Sequence, residues 1–371
     1  MHNLGQKAVL LRFFLLLNEF SRIFLLQKEY NLLYNICYRI IDRFGGFNKR
    51  EDIHMKRILS LILVLAMVFS LAACSGGTAM TMGTGGTAGT YYGYGGILGT
   101  QIKNAAGITV NVVSTDGSKA NILGIDAGNY QLATVQSDVM AYAWAGSRSF
   151  ETEGKLDSFR VIGGLYAEAV QLVTMDPAIK SVADLKGKKV SIGASGSGVY
   201  FNAIDVLAAA GLSEADIVPQ YQSFGDSADA LKDGKIDAAF IVAGAPTPAI
   251  QELCTTSDAY LVPIDGDVAA TLMQSSPYYT TYKIPAGTYE GQDAEVTTVT
   301  VKATLIVSAS ASEEDVYKLT AAIFDNIDAI TAAHAKGAEL SIDNAISGMT
   351  APFHKGAAKY FAEKGATVAI E

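Results

Sequence analysis

The sequence predicts an α/β protein of two lobes, and three observations lead there. A pattern of strand, Gly-rich turn, aromatic pair and helix is written twice, once from 78 to 98 and again from 188 to 211. Each copy closes on a second Gly turn and an apolar strand, at 122–139 and 230–246. Both copies lie in an acidic body that follows a basic, apolar head.

The chain has 371 residues, 50% apolar and 18% charged. That is too hydrophobic for disorder and long enough for two packed domains. Residues 1–73, the head, carry ten Lys/Arg against five Asp/Glu, which leaves 18 basic and 32 acidic residues for the remaining 298. Within the head, residues 55–73 read as a secretory signal: Lys56 and Arg57 form a positive start, and Ile58 to Leu71 form a short apolar core. The core is too short for a stable transmembrane span. Leu71-Ala72-Ala73-Cys74 resembles a bacterial lipobox, in which the cysteine, here Cys74, is lipidated and becomes the new N-terminus. Residues 74–80 are expected to be a flexible tether. A signal of this type starts at its own Met, and Met55 stands there. Residues 1–54 are therefore expected to be an untranslated upstream extension.

In the body, the second copy shows the physics best. Val190 and Ile192 alternate on a strand that Gly193 ends. Phe201, Ile204, Leu207 and Ala208 then recur at helical spacing, with Asn202 and Asp205 expected on the opposite face. Gly211 sits where a left-handed C-terminal cap belongs. Alternating strands and helices build a parallel sheet with right-handed crossovers, and such sheets bind ligands at the C-terminal edge of their strands. Residues 296–309 read as a strand. Ser312 and Asp315 start a helix whose buried stripe runs Val316, Leu319, Ile323, Ile327 and Ile330. A closing helix spans about 354 to 364, stopped by Gly365. These last elements are assigned to the back of the first lobe.

Composition excludes several function classes. Arg148 and Arg160 are the only arginines after residue 73, so no basic patch for nucleic acid is available. Three cysteines at 37, 74 and 254 make neither a disulfide framework nor a metal site, and only His334 and His354 lie in the body. Gly83-x-Gly85-x-x-Ala88 fits a dinucleotide fingerprint loosely, without the acidic residue about 20 positions on that the fingerprint needs. No nucleophile–base pair is visible, because Ser195 lies outside a complete GxSxG and has no histidine nearby. No enzyme activity, cofactor or metal is expected, and Cys254 reads as a small buried residue.

The turns are the candidate site. Gly83–Gly89 and Ala194–Gly198 put Gly, Ser or Thr just before a helix, where unpaired N–H groups and the helix dipole favour an anion. Thr87, Ser195 and Ser197 add hydroxyls. Gln136 and Ser137 end the closing strand of the first lobe and offer neutral donors and acceptors. Asp138 can meet an ammonium group or cap the next helix, the second being favoured. Gly244 ends the matching strand of the second lobe, and Tyr91, Tyr92, Tyr200 and Tyr221 are candidates to wall the cleft.

Six motifs carry a family likeness: GTGGTAGTYY, VQSDV, SVADLKGKKVSIGASGSG, DALKDGKIDAAFIVAGAPTPAIQEL, IPAGTYEGQD and PFHKGAAKYFAEKG. In that order they resemble the TAXI-type receptors of TRAP transporters, across essentially all of 78–366. The resemblance implies a type II periplasmic-binding-protein fold, with residues 81–168 and 265–371 in lobe I, 169–264 in lobe II, and a hinge between them. It implies capture of a small carboxylate or amino acid such as glutamate, glutamine or 2-oxoglutarate; the protein is expected to be a monomer tethered to the membrane through Cys74. It further implies delivery of that ligand to an ion-gradient-driven TRAP permease. The binding positions carried over are Gly85, Gly86, Thr87, Tyr91, Gln136, Ser137, Ser195, Gly196, Ser197, Gly198 and Gly244. The alternative is the same fold serving an ABC importer or a sensor.

Overall fold

A computed structural model describes residues 78–370. The extension 1–54, the signal 55–73 and the proposed lipidation site Cys74 lie outside the described residues.

The doubled pattern becomes two matching βαβαβ units. The first runs β1 (Ala79–Gly83), α1 (Thr90–Ala106), β2 (Thr109–Val113), α2 (Ser118–Asp126) and β3 (Leu132–Gln136). After β3 come α3 (Ser137–Ala145) and the long strand β4 (Phe159–Thr174). The second unit runs β5 (Lys189–Ser191), α4 (Val199–Ala209), β6 (Val218–Gln220), α5 (Phe224–Lys232) and β7 (Ala238–Ala243). Then follow α6 (Pro248–Thr256), β8 (Tyr260–Val262), α7 (Gly266–Ser275), β9 (Thr280–Ile284) and the second long strand, β10 (Val296–Ser308). The chain closes with α8 (Glu313–Phe324), α9 (Ile327–Ala333), α10 (Ile342–Ile346) and α11 (Lys355–Glu363).

The strands lie in the order β2-β1-β3-β10-β4-β7-β5-β6, with β8 beside β4 and β9 beside β10. Each lobe repeats one motif: three parallel strands, then a long antiparallel one. In lobe I, β1 pairs β2 and β3 in parallel and β10 runs antiparallel to β3. In lobe II, β5 pairs β6 and β7 in parallel and β4 runs antiparallel to β7. β3 (LATVQ) and β7 (AAFIVA) are buried along their whole length, as strands covered by helices on both faces must be. Glycine lets α1 lie close on its sheet, since a Cβ on Gly95 would stand 2.9 Å from Thr84 Cγ2.

β4 and β10 cross between the lobes as a paired ribbon, with Thr300 opposite Ala169, Val301 opposite Glu168 and Lys302 opposite Ala167. Along β4 the packing changes from the first core to the second between Tyr166 and Ala169; along β10 it changes between Ala303 and Val301. Residues 265–300 therefore sit in lobe II rather than in lobe I, where the sequence places them. Ala269, Leu272, Tyr279 and Val299 fill the second core, and Ile284 and Tyr289 pack on the other face of the same sheet. The chain returns to lobe I inside β10, an alternating strand with no turn to mark the crossing.

Three smaller differences have plain causes. β1 begins at Ala79, with Met80 buried, because pairing with β2 (Ala79 opposite Thr109) orders two residues assigned to the tether. The helix expected after Ser312 divides into α8 and α9, because Asn326 leaves helical geometry and turns its amide onto the Ala322 carbonyl (3.0 Å). Val316, Leu319, Ile323 and Ile330 of the expected stripe are nonetheless buried. Asn202, expected on the polar face of α4, is fully buried, while Ala208 is exposed. The helix turns that face toward the other lobe, where Asn202 meets polar partners rather than water.

Candidate ligand-binding cleft

The turns at the strand ends converge between the lobes. Residues 84–89 lead from β1 into α1, 114–117 from β2 into α2, 192–198 from β5 into α4 and 221–223 from β6 into α5. The N-terminal ends of all four helices reach one cavity through Gly89 and Thr90, Gly117 and Ser118, Gly198 and Val199, and Ser223 and Phe224. Their unpaired N–H groups give it a partial positive rim. The cavity measures about 70 Å³.

The lobes are closed over it. Ala120 N donates to Gly196 O (3.1 Å) and Ala249 N to Ala88 O (3.1 Å), both across the cleft. Thr90 Oγ1 donates to Gly244 O (2.8 Å). At Gly198 the approach is so tight that a Cβ would sit 1.7 Å from Gln136 Oε1. A side chain at this position would have to displace the Gln136 amide.

A charged network holds the lobes together beside the cavity. Arg148, which follows α3 in lobe I, grips Asp205 of α4 in lobe II through Nη2 at 2.6 Å and Nη1 at 3.0 Å. Its guanidinium also lies over the ring of Tyr142 (4.8 Å) and near that of Phe201 (5.8 Å). Deeper in, Asn202 Nδ2 donates to Asp138 Oδ2 (2.9 Å) and to Tyr279 OH (2.7 Å), and Tyr279 OH donates to Asp205 Oδ2 (3.0 Å). Burial pushes the Asp138 carboxyl up to about 6. Asp138 lies in the first turn of α3, and Asn202 rather than a ligand meets it; the cap position before it is taken by Gln136.

At the floor, where β4 and β10 cross, stands Glu168. It is 1% exposed, and Tyr91 OH donates to its Oε2 at 2.6 Å. Burial raises the Glu168 carboxyl to about 8 and holds the Tyr91 hydroxyl well above its usual value.

Of the positions named from sequence, Gly85, Gly86, Tyr91, Gln136, Ser197 and Gly198 line the cavity. The other five stand elsewhere. Thr87 is exposed. Ser195 is exposed too, and its side of the turn opens outward. Gly196 spends its carbonyl on Ala120. Ser137 turns toward the hinge and accepts from Lys302 N (3.2 Å). Gly244 holds the lobes together through Thr90. Sequence reasoning missed Thr115, Asp116, Gly117 and Ser118, although a Gly/Ser turn after the strand TVNVV marks them. It also missed Gln222, Ser223 and Phe224, and above all Glu168, a lone acid in the apolar run of β4.

Two α/β lobes of identical topology, linked by a pair of crossing strands and closed on a cavity at their strand ends, define a type II periplasmic-binding-protein fold. The chain belongs to the NMT1-like family, which matches residues 82–365. It is similar to the alkanesulfonate-binding protein SsuA from Xanthomonas axonopodis pv. citri bound to MOPS, at 16% identity over 79% of this chain and 96% of that one, TM-score 0.44. It is similar to a putative L-cystine ABC transporter protein from Listeria monocytogenes, at 17% identity over 71% and 98%, TM-score 0.45. A further similar structure is the GluR0 ligand-binding core from Nostoc punctiforme in complex with L-glutamate, at 13% identity over 69% and 98%, TM-score 0.42. The NMT1-like match does not single out the TAXI-type receptors.

Proposed function

We propose that this protein is an extracytoplasmic solute-binding receptor that closes on one small polar solute and hands it to a membrane permease. The observation that carries this reading is the closed cavity at the meeting point of four helix N-termini, with walls from both lobes. A solute held there touches both lobes only in the closed state, so binding draws the population toward closure. Among the described residues no helix is long and apolar enough to cross a membrane. The lipobox-like run ending at Cys74 supports attachment through a lipid on that cysteine. For the permease we favour an ATP-driven importer; the NMT1-like match supports a solute-binding protein and does not single out the TAXI type. A TRAP permease is the second reading, favoured by the order of the six motifs.

Uptake by vesicles carrying the neighbouring permease separates the two. Importer pairing predicts transport that needs ATP inside the vesicle and survives collapse of the ion gradients; TRAP pairing predicts the reverse. If the receptor stimulates uptake of no solute in either regime, the reading fails. Loss of the signal-peptide mass together with a gain of diacylglycerol mass on Cys74 tests the anchor.

A further inference from the structure

We infer that the cleft is built for a solute that carries a protonated nitrogen and no net negative charge, with Glu168 at the hinge receiving that nitrogen. This rests on the solute-binding reading and narrows the solute to a class that excludes dicarboxylates.

Charge around the cavity is one-sided. Its titratable acids are Asp116, exposed at the mouth, and Glu168, buried at the floor; no Lys or Arg lines it. The cation closest in the network, Lys336, is already engaged by Glu339 Oε1 (2.6 Å) and Tyr282 OH (3.3 Å) and lies outside the cavity wall. A second carboxylate on the solute would find no cation to meet it, and an unpaired buried charge is strongly disfavoured.

The same space holds unmet acceptors. Tyr91 donates to Oε2 of Glu168. The Oε1 atoms of Gln136 and Gln222, both on the cavity wall, are buried and unpartnered, and Gln136 is 2% exposed. Buried acceptors without donors are rare in a finished structure and are met by a ligand or water. Two such oxygens beside the Glu168 carboxyl ask for a donor-rich group, and an ammonium supplies three N–H donors.

The helix N-termini complete the match. They favour a single carboxylate at the rim, while Glu168 takes an ammonium at the floor. A zwitterionic α-amino acid with a neutral side chain satisfies both ends. Placing the ammonium on a hinge residue also ties its capture directly to the crossing of β4 and β10.

Binding then moves a proton. Tyr91, Tyr166, Asp138 and Lys336 are the titratable groups around Glu168, and burial outweighs Lys336, so the empty cleft holds this carboxyl protonated at pH 7. An incoming ammonium favours the carboxylate, and the Glu168 proton leaves to solvent.

The test compares amino acids with their keto counterparts on the wild-type protein by titration calorimetry: L-alanine with pyruvate, L-glutamine with 2-oxoglutaramate, L-glutamate with 2-oxoglutarate. The same preparation is analysed by native mass spectrometry for co-purified solute. Expected results are a best binder that bears an amine, a keto counterpart at least 100-fold weaker, and L-glutamate weaker than L-glutamine. The binding enthalpy should differ between phosphate and Tris at pH 7 in the sense of proton release. Glu168→Gln should weaken the amine-bearing ligand at least tenfold, and the wild-type amino/keto comparison stands even if that variant fails to fold. A keto acid or dicarboxylate as best binder, or a retained solute without a basic nitrogen, overturns the ammonium assignment and leaves the solute-binding reading in place. No binding by any compound and no retained solute overturns both.

Discussion

Removing the Arg148–Asp205 clasp should open the protein without unfolding either lobe. The two residues belong to different lobes and meet through two charge-assisted hydrogen bonds of 2.6 and 3.0 Å. The Arg148 side chain is 36% exposed and that of Asp205 15%, so solvent screens part of the attraction. A bidentate pair in this setting contributes about 1–1.5 kcal/mol to closure after screening, and the guanidinium over Tyr142 and Phe201 adds roughly 0.5 kcal/mol. Loss of about 1.5–2 kcal/mol lowers the closed-to-open ratio roughly 10- to 30-fold. Arg148 is also the only non-glycine with a left-handed backbone among the described residues, at φ 53°. Arg148→Gly relieves that conformation, worth about 1 kcal/mol, while losing the clasp. Small-angle scattering of the ligand-free protein should therefore show a larger radius of gyration for R148M, R148G and D205N alike. Urea unfolding should show R148G at least as stable as R148M. The D205N/R148M double variant should open no further than R148M, since the ion pair that D205N removes is already lost there. An unchanged radius in all three single variants, or additive opening in the double, would refute the clasp as the cause of closure.

Other outcomes follow from the same geometry. The Glu168 and Asp138 carboxyls sit at about 8 and about 6 in the folded chain, above their unfolded values near 4. Their protonated forms thus stabilise the ligand-free fold fully below about pH 4, and that contribution fades as pH rises through 6 and then 8. The urea midpoint should fall over this range, with E168Q removing the upper part of the slope and D138N the lower; a midpoint that rises between pH 6 and 8 contradicts the assignment. Gly198→Ala puts a methyl 1.7 Å from Gln136 Oε1 across the cleft, so calorimetry should show affinity for the bound solute down at least about 100-fold, with each lobe still folded. Wild-type affinity in that variant would mean the lobes do not close as described. Asn202→Leu strips the donor from the buried Asp138 carboxyl and from Tyr279, and chemical unfolding should register a loss of about 2–3 kcal/mol, less at pH 4 than at pH 7.

Much of the fold is legible in the sequence wherever local chemistry decides structure. The strand–turn–helix repeat needs only alternation, glycine and helical spacing, and Gly85, Gly86, Ser197 and Gly198 follow from it because a turn after a parallel strand must face the ligand edge. What the sequence hides depends on the partner lobe. Asn202 reads as a polar-face residue until lobe I covers that face. Which hydroxyl of a Gly/Ser turn points inward depends on turn conformation: Ser197 faces in and Ser195 out, two residues apart. The return from lobe II to lobe I falls inside β10, where apolar alternation continues unbroken through the crossing. Glu168 carries a signal of another kind. A carboxyl in a fully buried apolar strand has a cost that only a function or a partner offsets, and a lone acid within the apolar run of β4 is an anomaly readable from the residues alone.

The most direct test of solute capture between the lobes is a crystal structure of the protein with its co-purified or calorimetrically identified solute. The expected result is closed lobes around density for one small solute, with a nitrogen on the Glu168 carboxylate and its opposite end against the N-termini of α1 and α4. Solute bound instead in the groove beside Lys302 and Ser347, or lobes that close on nothing, would contradict it.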